Sequence, residues 1–212
     1  MRTITIASGK GGNSKSTLVV TLAVQAMKEK GSVALLDFEP QNSISLWWML
    51  RGKPSQPMLV RDGRDPVKEA RRLRELGGVI DWAFVDTPAS GFDVIERAII
   101  AADFVLIPVQ ASVFDLSAVR PVAELCGDHN KPFAFVLTRE QPRRDKLNST
   151  AITHLKKLGP VLKETMAERT VYVSATAMGK TAPEHPDAKQ AKEARAEVEA
   201  LWAAVKKLAG AK

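Results

Sequence analysis

Short apolar runs alternate along this chain with longer stretches of helical periodicity. The short runs, rich in β-branched residues, predict strands over 3–7, 32–37, 58–60, 82–86, 104–109, 133–138 and 171–173. The longer stretches predict helices over 15–30, 44–50, 66–76, 94–101, 116–126, 146–158 and 191–208. Pro121 falls inside one of these helices, where we expect it to produce a kink or to mark the first turn.

The order of the predicted elements indicates the fold. Runs such as VALLD and AFVD are apolar at consecutive positions, as in a parallel sheet that is covered on both faces. Alternation of strand and helix then predicts a doubly wound, mostly parallel α/β sheet with helices on both faces, formed by residues 1–212 as a single domain. Ligands of such sheets bind beyond the carboxyl ends of the strands, so we expect the functional residues in the loops there.

The loop after the first predicted strand reads SGKGGNSKST. A glycine-rich turn that leads into a helix aligns backbone N–H groups with the positive end of the helix dipole, and so binds anions. The spacing from Gly9 to Lys15 and Ser16 is that of a phosphate-binding P-loop, although Ser14 replaces the second glycine. This spacing assigns Lys15 to the β- and γ-phosphates of a nucleotide and the Ser16 hydroxyl to Mg²⁺.

The segment KGGNSKST resembles the deviant Walker A box of the ParA/MinD family, KGGxGK[ST][ST], at every defining position except Ser14. The resemblance implies a P-loop NTPase fold with ATP and Mg²⁺ as ligands. It also implies that Lys10 reaches across an ATP-sandwich homodimer to the partner's phosphates. The implied nucleotide-binding residues of this loop are Gly9, Lys10, Gly11, Gly12, Asn13, Ser14, Lys15, Ser16 and Thr17.

Four further segments resemble the family in the same order: LLDFEPQNS, FVDTP, ADFVLIPVQAS and VLTR. Together with the first segment they span most of the chain. The resemblance adds Pro108, Thr138 and Arg139 to the nucleotide-binding residues, and it implies Lys10, Lys15 and Glu39 as the catalytic residues.

Two carboxylates, Asp37 and Asp86, end neighbouring apolar strands. A buried carboxylate is costly unless it faces a cation or a hydrogen-bonded water. Because Mg²⁺ keeps several waters and takes few protein ligands, both can join Ser16 around that ion. The alternative, that the two residues only cap the turns that follow them, stays open at this point.

Two departures from the family pattern affect the expected chemistry. Relatives have Asp where this chain has Glu39, the residue expected to orient the attacking water, and phosphoryl transfer depends on such positioning. Ser14 adds a Cβ where the loop can require a left-handed backbone, at a cost of roughly 1–2 kcal/mol. We therefore expect weaker ATP binding than in a Ser14→Gly variant.

Charge adds a second class of ligand. The chain has 31 Lys and Arg against 24 Asp and Glu, a net charge of +7. Such an excess attracts nucleic acid or an anionic membrane, although a solvated basic surface explains it equally well. Family resemblance favours non-specific DNA, with these candidate clusters: Arg61, Arg64, Arg71, Arg72 and Arg74; Arg139, Arg143, Arg144 and Lys146; Lys156, Lys157 and Lys163.

Membrane attachment is the less favoured alternative. Val198, Leu201, Trp202, Val205 and Leu208 form an apolar stripe that suits an interfacial helix or a helix packed on the sheet, and we expect the second. For Trp47 and Trp48 we expect a place in the core or on a dimer surface.

Composition excludes several classes. A single cysteine rules out an internal disulfide or a thiolate metal cluster, and the three histidines lack ligand spacing. No apolar run approaches the ~18 residues of a membrane span or forms a signal peptide, so we expect a cytoplasmic protein. The family resemblance implies that it associates with the nucleoid.

Three functions compete. The first is an ATPase that dimerises with ATP, binds DNA and partitions or positions a plasmid, a chromosome or a protein cargo, with hydrolysis stimulated by a centromere- or cargo-binding partner. The second is an ATP- and DNA-binding scaffold with impaired hydrolysis, because of Ser14 and Glu39. A dinucleotide oxidoreductase is the third, since Gly9, Gly11 and Asp37 imitate a Rossmann fingerprint, but it leaves Lys15 without a role.

Overall fold

Seven parallel strands form one sheet at the centre of the molecule. The computed structural model describes residues 1–60, 65–141 and 145–210. The strands are β1 Arg2–Ile6, β2 Val33–Asp37, β3 Met58–Val60, β4 Trp82–Asp86, β5 Phe104–Val109, β6 Phe133–Glu140 and β7 Met166–Ala167. Their order is β3-β2-β4-β1-β5-β6-β7, and each pairing is parallel.

Helices cover both faces of the sheet. They are α1 Lys15–Lys28, α2 Ser43–Leu50, α3 Pro66–Glu75, α4 Phe92–Ala101, α5 Val113–Asp128, α6 Asp145–Leu155, α7 Thr170–Thr176 and α8 Ala188–Leu208, with a 3-10 turn at Ala182–Glu184. Successive strand residues point to opposite faces: Phe104 packs with α1 and α8, whereas its neighbour Val105 packs with α4, α5 and α6. The predicted doubly wound α/β fold is confirmed.

Most predicted elements are confirmed, with ends that differ by a few residues. One prediction is wrong: residues 171–173 lie in α7 rather than in a strand, and the short strand at this edge of the sheet is β7. A three-residue β-branched run does not distinguish a strand from one turn of a buried helix, because both bury apolar side chains. Pro121 lies in the middle of α5 and not in its first turn.

The apolar stripe of α8 belongs mainly to the core. Val198, Leu201, Trp202 and Val205 are buried, and the Trp202 ring lies 4.7 Å from that of Trp82, centroid to centroid. Only Leu208, at the end of the helix, is exposed. The helix therefore uses its apolar face to close the sheet, as we expected.

Trp47 and Trp48 also contribute to the core. Trp47 is buried, and Trp48 is half-buried against the same hydrophobic cluster.

The strand order brings three loops to one edge of the sheet. β1 lies between β4 and β5, and Ile6 and Asp37 are both register partners of Asp86. The glycine-rich loop, the loop after β2 and the loop after β4 therefore begin side by side. In the dinucleotide-binding order β1 adjoins β2 instead, so the sheet argues against the oxidoreductase alternative.

Candidate functional site

The N-terminus of α1 is open to a cavity of about 490 Å³. Its cap residue, Ser14, makes no side-chain hydrogen bond to the helix, and the first turn of α1 has no acidic residue. The first N–H groups of a helix have no acceptor within it and carry the positive end of its dipole. The cavity is large enough for a small organic ligand, and its floor favours an anion.

Ser14 has the left-handed backbone that its place in the loop requires, with φ of 63° and ψ of 22°. Gly12 also has positive φ, at 80°. At Gly9 the need for glycine is steric, because a Cβ there would lie 2.7 Å from the carbonyl oxygen of Ala118 in α5. The loop is thus pressed against α5 at its start and turns sharply into α1 at its end.

Lys15 lies under this loop, and only 6% of its surface is exposed. Its Nζ donates a hydrogen bond to the carbonyl oxygen of Lys10 at 3.1 Å. Burial lowers the pKa of Lys15, while the nearby carboxyl groups of Asp86 and Glu39 oppose that shift. The result is a desolvated cation directly below the anion-binding turn.

Asp86 is completely buried at the end of β4. Its Oδ2 accepts a hydrogen bond from Ser16 Oγ at 2.5 Å, but its Oδ1 has no hydrogen-bond partner among the described residues. Burial, together with the nearby carboxyl groups of Asp37 and Glu39, raises the pKa of this carboxyl to about 7, against the opposing effects of Ser16 and Lys15. An orphaned carboxylate oxygen beside a serine hydroxyl fits the hydrated shell of Mg²⁺.

Asp37, at the end of β2, has its hydrogen bonds satisfied within the chain. Its Oδ2 accepts from the N–H and the Oγ of Ser45, at 3.0 and 2.9 Å, and its Oδ1 accepts from the N–H of Glu39 at 3.3 Å. The carboxylate thus fixes the first turn of α2 and the segment before it. In this structure Asp37 does what the capping alternative described.

The structure brings some predicted residues together and separates others. The residues that line the large cavity are Gly11, Gly12, Asn13, Ser14, Lys15, Ser16, Thr17, Glu39 and Arg139. Those that do not line it are Gly9, Lys10, Asp37, Asp86, Pro108 and Thr138. Pro108 is buried within β5, and the Thr138 hydroxyl lies 3.5 Å from the carbonyl oxygen of Asn13.

A second cavity, of about 300 Å³, lies beside the first and shares Ser14, Thr17 and Arg139 with it. Met166, Tyr172 and the loop between them form its other wall. Arg139 has positive φ, 51°, where the pairing of β6 with β7 shifts register. This irregularity places its side chain against both cavities.

Sequence reasoning missed three residues that hold the glycine-rich loop or Asp37 in place. Gln110 Nε2 donates to the carbonyl oxygen of Gly12 at 2.9 Å, and Ser45 satisfies Asp37. Asp115 forms an ion pair with Lys10. The pattern Ser112-x-x-Asp115 resembles a helix N-cap and could have drawn attention to Asp115, and Gln110 lies in the family-like segment ADFVLIPVQAS, which does not by itself indicate its contact with Gly12.

Comparison with known families adds an independent observation. Residues 4–182 match the model of the CobQ/CobB/MinD/ParA nucleotide binding domain. The chain belongs to this family. A family relative, the maintenance of carboxysome distribution protein A of Halothiobacillus neapolitanus, is 30% identical over 187 residues, which cover 84% of this chain and 84% of the relative.

Solved structures agree on the fold of this family member. McdA of Cyanothece, solved as an ATP complex, matches with a TM-score of 0.75 at 18% identity, over 100% of this chain and 97% of that one. MinD of Pyrococcus horikoshii, solved with Mg-ADP, matches with a TM-score of 0.74 at 20% identity, over 99% and 97% of the two chains. Within the part of the chain that the structure describes, no helix is both long and apolar enough to cross a membrane.

Proposed function

We propose that this chain is an ATPase that dimerises with ATP, binds DNA without sequence preference and positions a large cargo. One observation carries the proposal: the uncapped N-terminus of α1 faces a cavity that also holds Lys15 and Glu39. An anion of high charge, such as a triphosphate, compensates the desolvated Lys15 and the unpaired N–H groups at once.

Residues of the glycine-rich loop would hold the phosphates. Residues Gly11 to Thr17 line the cavity, and Lys15 Nζ donates to the carbonyl oxygen of Lys10 in the same loop. Ser16 and Asp86 would hold Mg²⁺, which when bound neutralises charge on the phosphates. Arg139 and the second cavity would receive the nucleoside, because that cavity adjoins Ser14 and Thr17.

Hydrolysis would depend on Glu39 and Lys10. Glu39 is half-buried in the wall of the large cavity, where its carboxylate can orient a water toward the phosphates. Lys10 lies outside this cavity, in keeping with a role at the phosphates of a second copy. Pro108 and Thr138 would support the loop from beneath rather than touch the nucleotide.

The structure narrows the candidate DNA surface. Arg74 pairs with Asp103 at 3.1 Å, Arg72 with Glu69 at 3.8 Å and Arg71 with Glu75 at 3.0 Å, so α3 is largely neutralised. Arg61, Arg64, Arg143 and Arg144 lie outside the described residues. Lys146 is exposed and has no ion pair with a described residue, but it is a single charge of its cluster. The third cluster is complete: Lys156, Lys157 and Lys163, after α6, are all exposed and have no ion pair with a described residue.

We assign DNA binding to these three lysines, and the assignment can be tested with a matched loss of charge. The test variant has Gln in place of Lys156, Lys157 and Lys163. For duplex DNA, we expect the slope of log affinity against log salt concentration to fall by the equivalent of about three phosphate contacts. The control changes the exposed Lys28, Lys30 and Lys53 to Gln and loses the same charge. Equal salt slopes in the two variants would contradict the assignment.

The ATPase proposal itself is tested by phosphate release. Wild-type chain with DNA and a cargo-binding partner protein should hydrolyse ATP, and Lys15→Ala should not. The name of the H. neapolitanus relative suggests a carboxysome as one possible cargo class, beside a plasmid or a chromosome. If the chain binds DNA equally well with and without ATP, and equally well after Lys15→Ala, the proposed cycle is wrong.

A second candidate, a scaffold that binds ATP but barely hydrolyses it, is favoured by two departures from the family pattern. Ser14 holds a strained left-handed backbone in the loop, and Glu39 stands where relatives have Asp. Under this candidate the chain retains nucleotide and DNA but releases no phosphate, even with its partner.

A further inference from the structure

Lys10 and Asp115 form an ion pair within one chain, across the gap between the glycine-rich loop and α5. Lys10 Nζ lies 3.0 Å from Asp115 Oδ1. The lysine side chain is 42% exposed, whereas the aspartate side chain is 3% exposed. The carboxylate is therefore the fixed member of the pair and the lysine is the one that can move into solvent.

Two contacts hold the members of the pair at this distance. Gly9 packs so closely on α5 that a Cβ would lie 2.7 Å from the Ala118 carbonyl oxygen, and this contact fixes the backbone next to Lys10. Asp115 is fixed by Ser112, whose Oγ accepts the Asp115 N–H at 3.2 Å and donates to its Oδ2. The pair is consequently a built feature of the loop and not a chance surface contact.

Two features hold the Asp115 carboxylate in place when Lys10 leaves. It keeps the hydrogen bond from the Ser112 hydroxyl, and it lies in the first turn of α5, where the helix dipole stabilises a negative charge. Lys10 is the one cation within ion-pair distance of Asp115 in the described part of the chain. Separation of the pair thus costs the ion-pair attraction and leaves the buried Asp115 Oδ1 without a hydrogen-bond partner among the described residues, so the carboxylate favours the paired state.

We infer that Asp115 is a positioning residue that holds Lys10 in its own chain and opposes its transfer to the nucleotide of a second copy. The inference rests on the proposed function, in which Lys10 serves the partner's phosphates. In this inference, contact of Lys10 with a phosphate of another chain replaces its contact with the buried Asp115 carboxylate. Each dimer therefore has to break two of these ion pairs as it closes.

Asp115→Asn tests the inference, because it removes the charge, keeps the size and can still accept the Ser112 hydroxyl. Sedimentation with a non-hydrolysable ATP analogue and Mg²⁺ should show a dimer about tenfold tighter than wild type, from two ion pairs of ordinary strength. Asp115→Glu should restore the wild-type value. Lys10→Gln should act in the opposite direction and weaken the dimer.

Glu29→Gln is the matched control, since it also removes the carboxylate of a lysine ion pair, that of Lys206 at 2.7 Å. It should leave the dimer constant unchanged. Thermal unfolding of each variant separates an effect on the dimer from an effect on α5.

A second readout needs no nucleotide. Acetylation of the nucleotide-free chain, followed by mass spectrometry, should label Lys10 several-fold faster in Asp115→Asn than in wild type, relative to the exposed Lys53. Suppose that wild type binds ATP and dimerises. If Asp115→Asn then changes neither the dimer constant nor the acetylation rate of Lys10, or if it weakens the dimer as Lys10→Gln does, the inference is wrong and the proposed function stands. A chain that binds no nucleotide overturns both.

Discussion

The ends of β2 and β4 lie side by side but differ in how their acidic residues are satisfied. Asp37 accepts three hydrogen bonds and supports the start of α2. Asp86, its register partner, accepts a hydrogen bond from Ser16 at one oxygen, while the other oxygen has no hydrogen-bond partner among residues 1–60, 65–141 and 145–210. The residue types are the same, so the difference indicates that the end of β2 stabilises the fold, whereas the end of β4 keeps a buried carboxyl oxygen that our proposal assigns to a ligand.

Unfavourable local features also lie on the Asp86 side of this comparison. Beside Asp86 lie Ser14, with its left-handed backbone, and the desolvated Lys15. Unfavourable local features tend to gather at functional sites, where the rest of the structure maintains them. We therefore regard the glycine-rich loop and the end of β4 as the functional region, and the end of β2 as its support.

The largest expected effect is a difference in sign between two isosteric substitutions. At pH 8, without Mg²⁺ or nucleotide, Asp37→Asn should lower the free energy of unfolding by about 2 kcal/mol, because an amide NH₂ cannot accept from the donors around it. Asp86→Asn should raise it by about 2 kcal/mol, since it removes a buried charge with an unpaired oxygen. Urea denaturation measures both, and losses of equal size would contradict the comparison.

The pH dependence of stability sharpens the comparison. Asp86 has a pKa of about 7 in the folded chain and 3.8 as a free side chain, so the folded chain binds more protons between these values. Its contribution therefore reduces stability as pH rises through this window. In EDTA, Asp86→Asn should raise the free energy of unfolding relative to wild type by ~2 kcal/mol more at pH 8 than at pH 5. A constant gain across that range would show that Asp86 does not titrate there.

Magnesium provides a smaller contrast. If Ser16 and Asp86 hold the ion, Asp86→Asn should reduce the enhancement of ATP-analogue binding by Mg²⁺ about tenfold. Asp37→Asn should change that enhancement much less, because its oxygens are occupied by Ser45 and Glu39. Fluorescence titration with and without Mg²⁺ gives both values, and equal losses would place Asp37 at the ion as well.

Ser14→Gly should have the smallest effect. Glycine adopts φ of 63° without the Cβ strain, so we expect a gain of about 1 kcal/mol in stability, and ATP binding up to about fivefold tighter. Any hydrogen bond from the Ser14 hydroxyl to a phosphate would reduce this gain. Identical ATP affinities for wild type and Ser14→Gly would show that Ser14 does not weaken nucleotide binding.

Much of this account could be predicted from local sequence. The apolar strands and the glycine-rich turn are encoded in consecutive residues, so the fold followed from the order of the elements and an anion-binding turn from its spacing, while the family resemblance implied the individual residues from Gly11 to Thr17. Long-range partners were not visible in that way. Nothing near Asp37 indicates that Ser45 would satisfy it, and Asp115 lies about a hundred residues from Lys10.

The failed strand prediction at residues 171–173 has the same origin. Val171 and Tyr172 are buried by contacts with distant elements, and a short apolar run carries no period that could separate helix from strand. Pro108 shows the converse: the family motif includes it, yet the fold buries it inside β5. Motifs identify the chemistry of a loop more reliably than the distance of each member from the ligand.

The central claim is that the turn after β1 binds a magnesium-bound triphosphate above Lys15. Isothermal titration of the wild-type chain with Mg²⁺ and a non-hydrolysable ATP analogue tests it most directly, with Lys15→Ala as the comparison. We predict one nucleotide per chain and an affinity at least about thirtyfold weaker in the variant, because Lys15 forms charge-assisted contacts with phosphate. No binding by the wild type, or equal affinities for the two proteins, would contradict the claim.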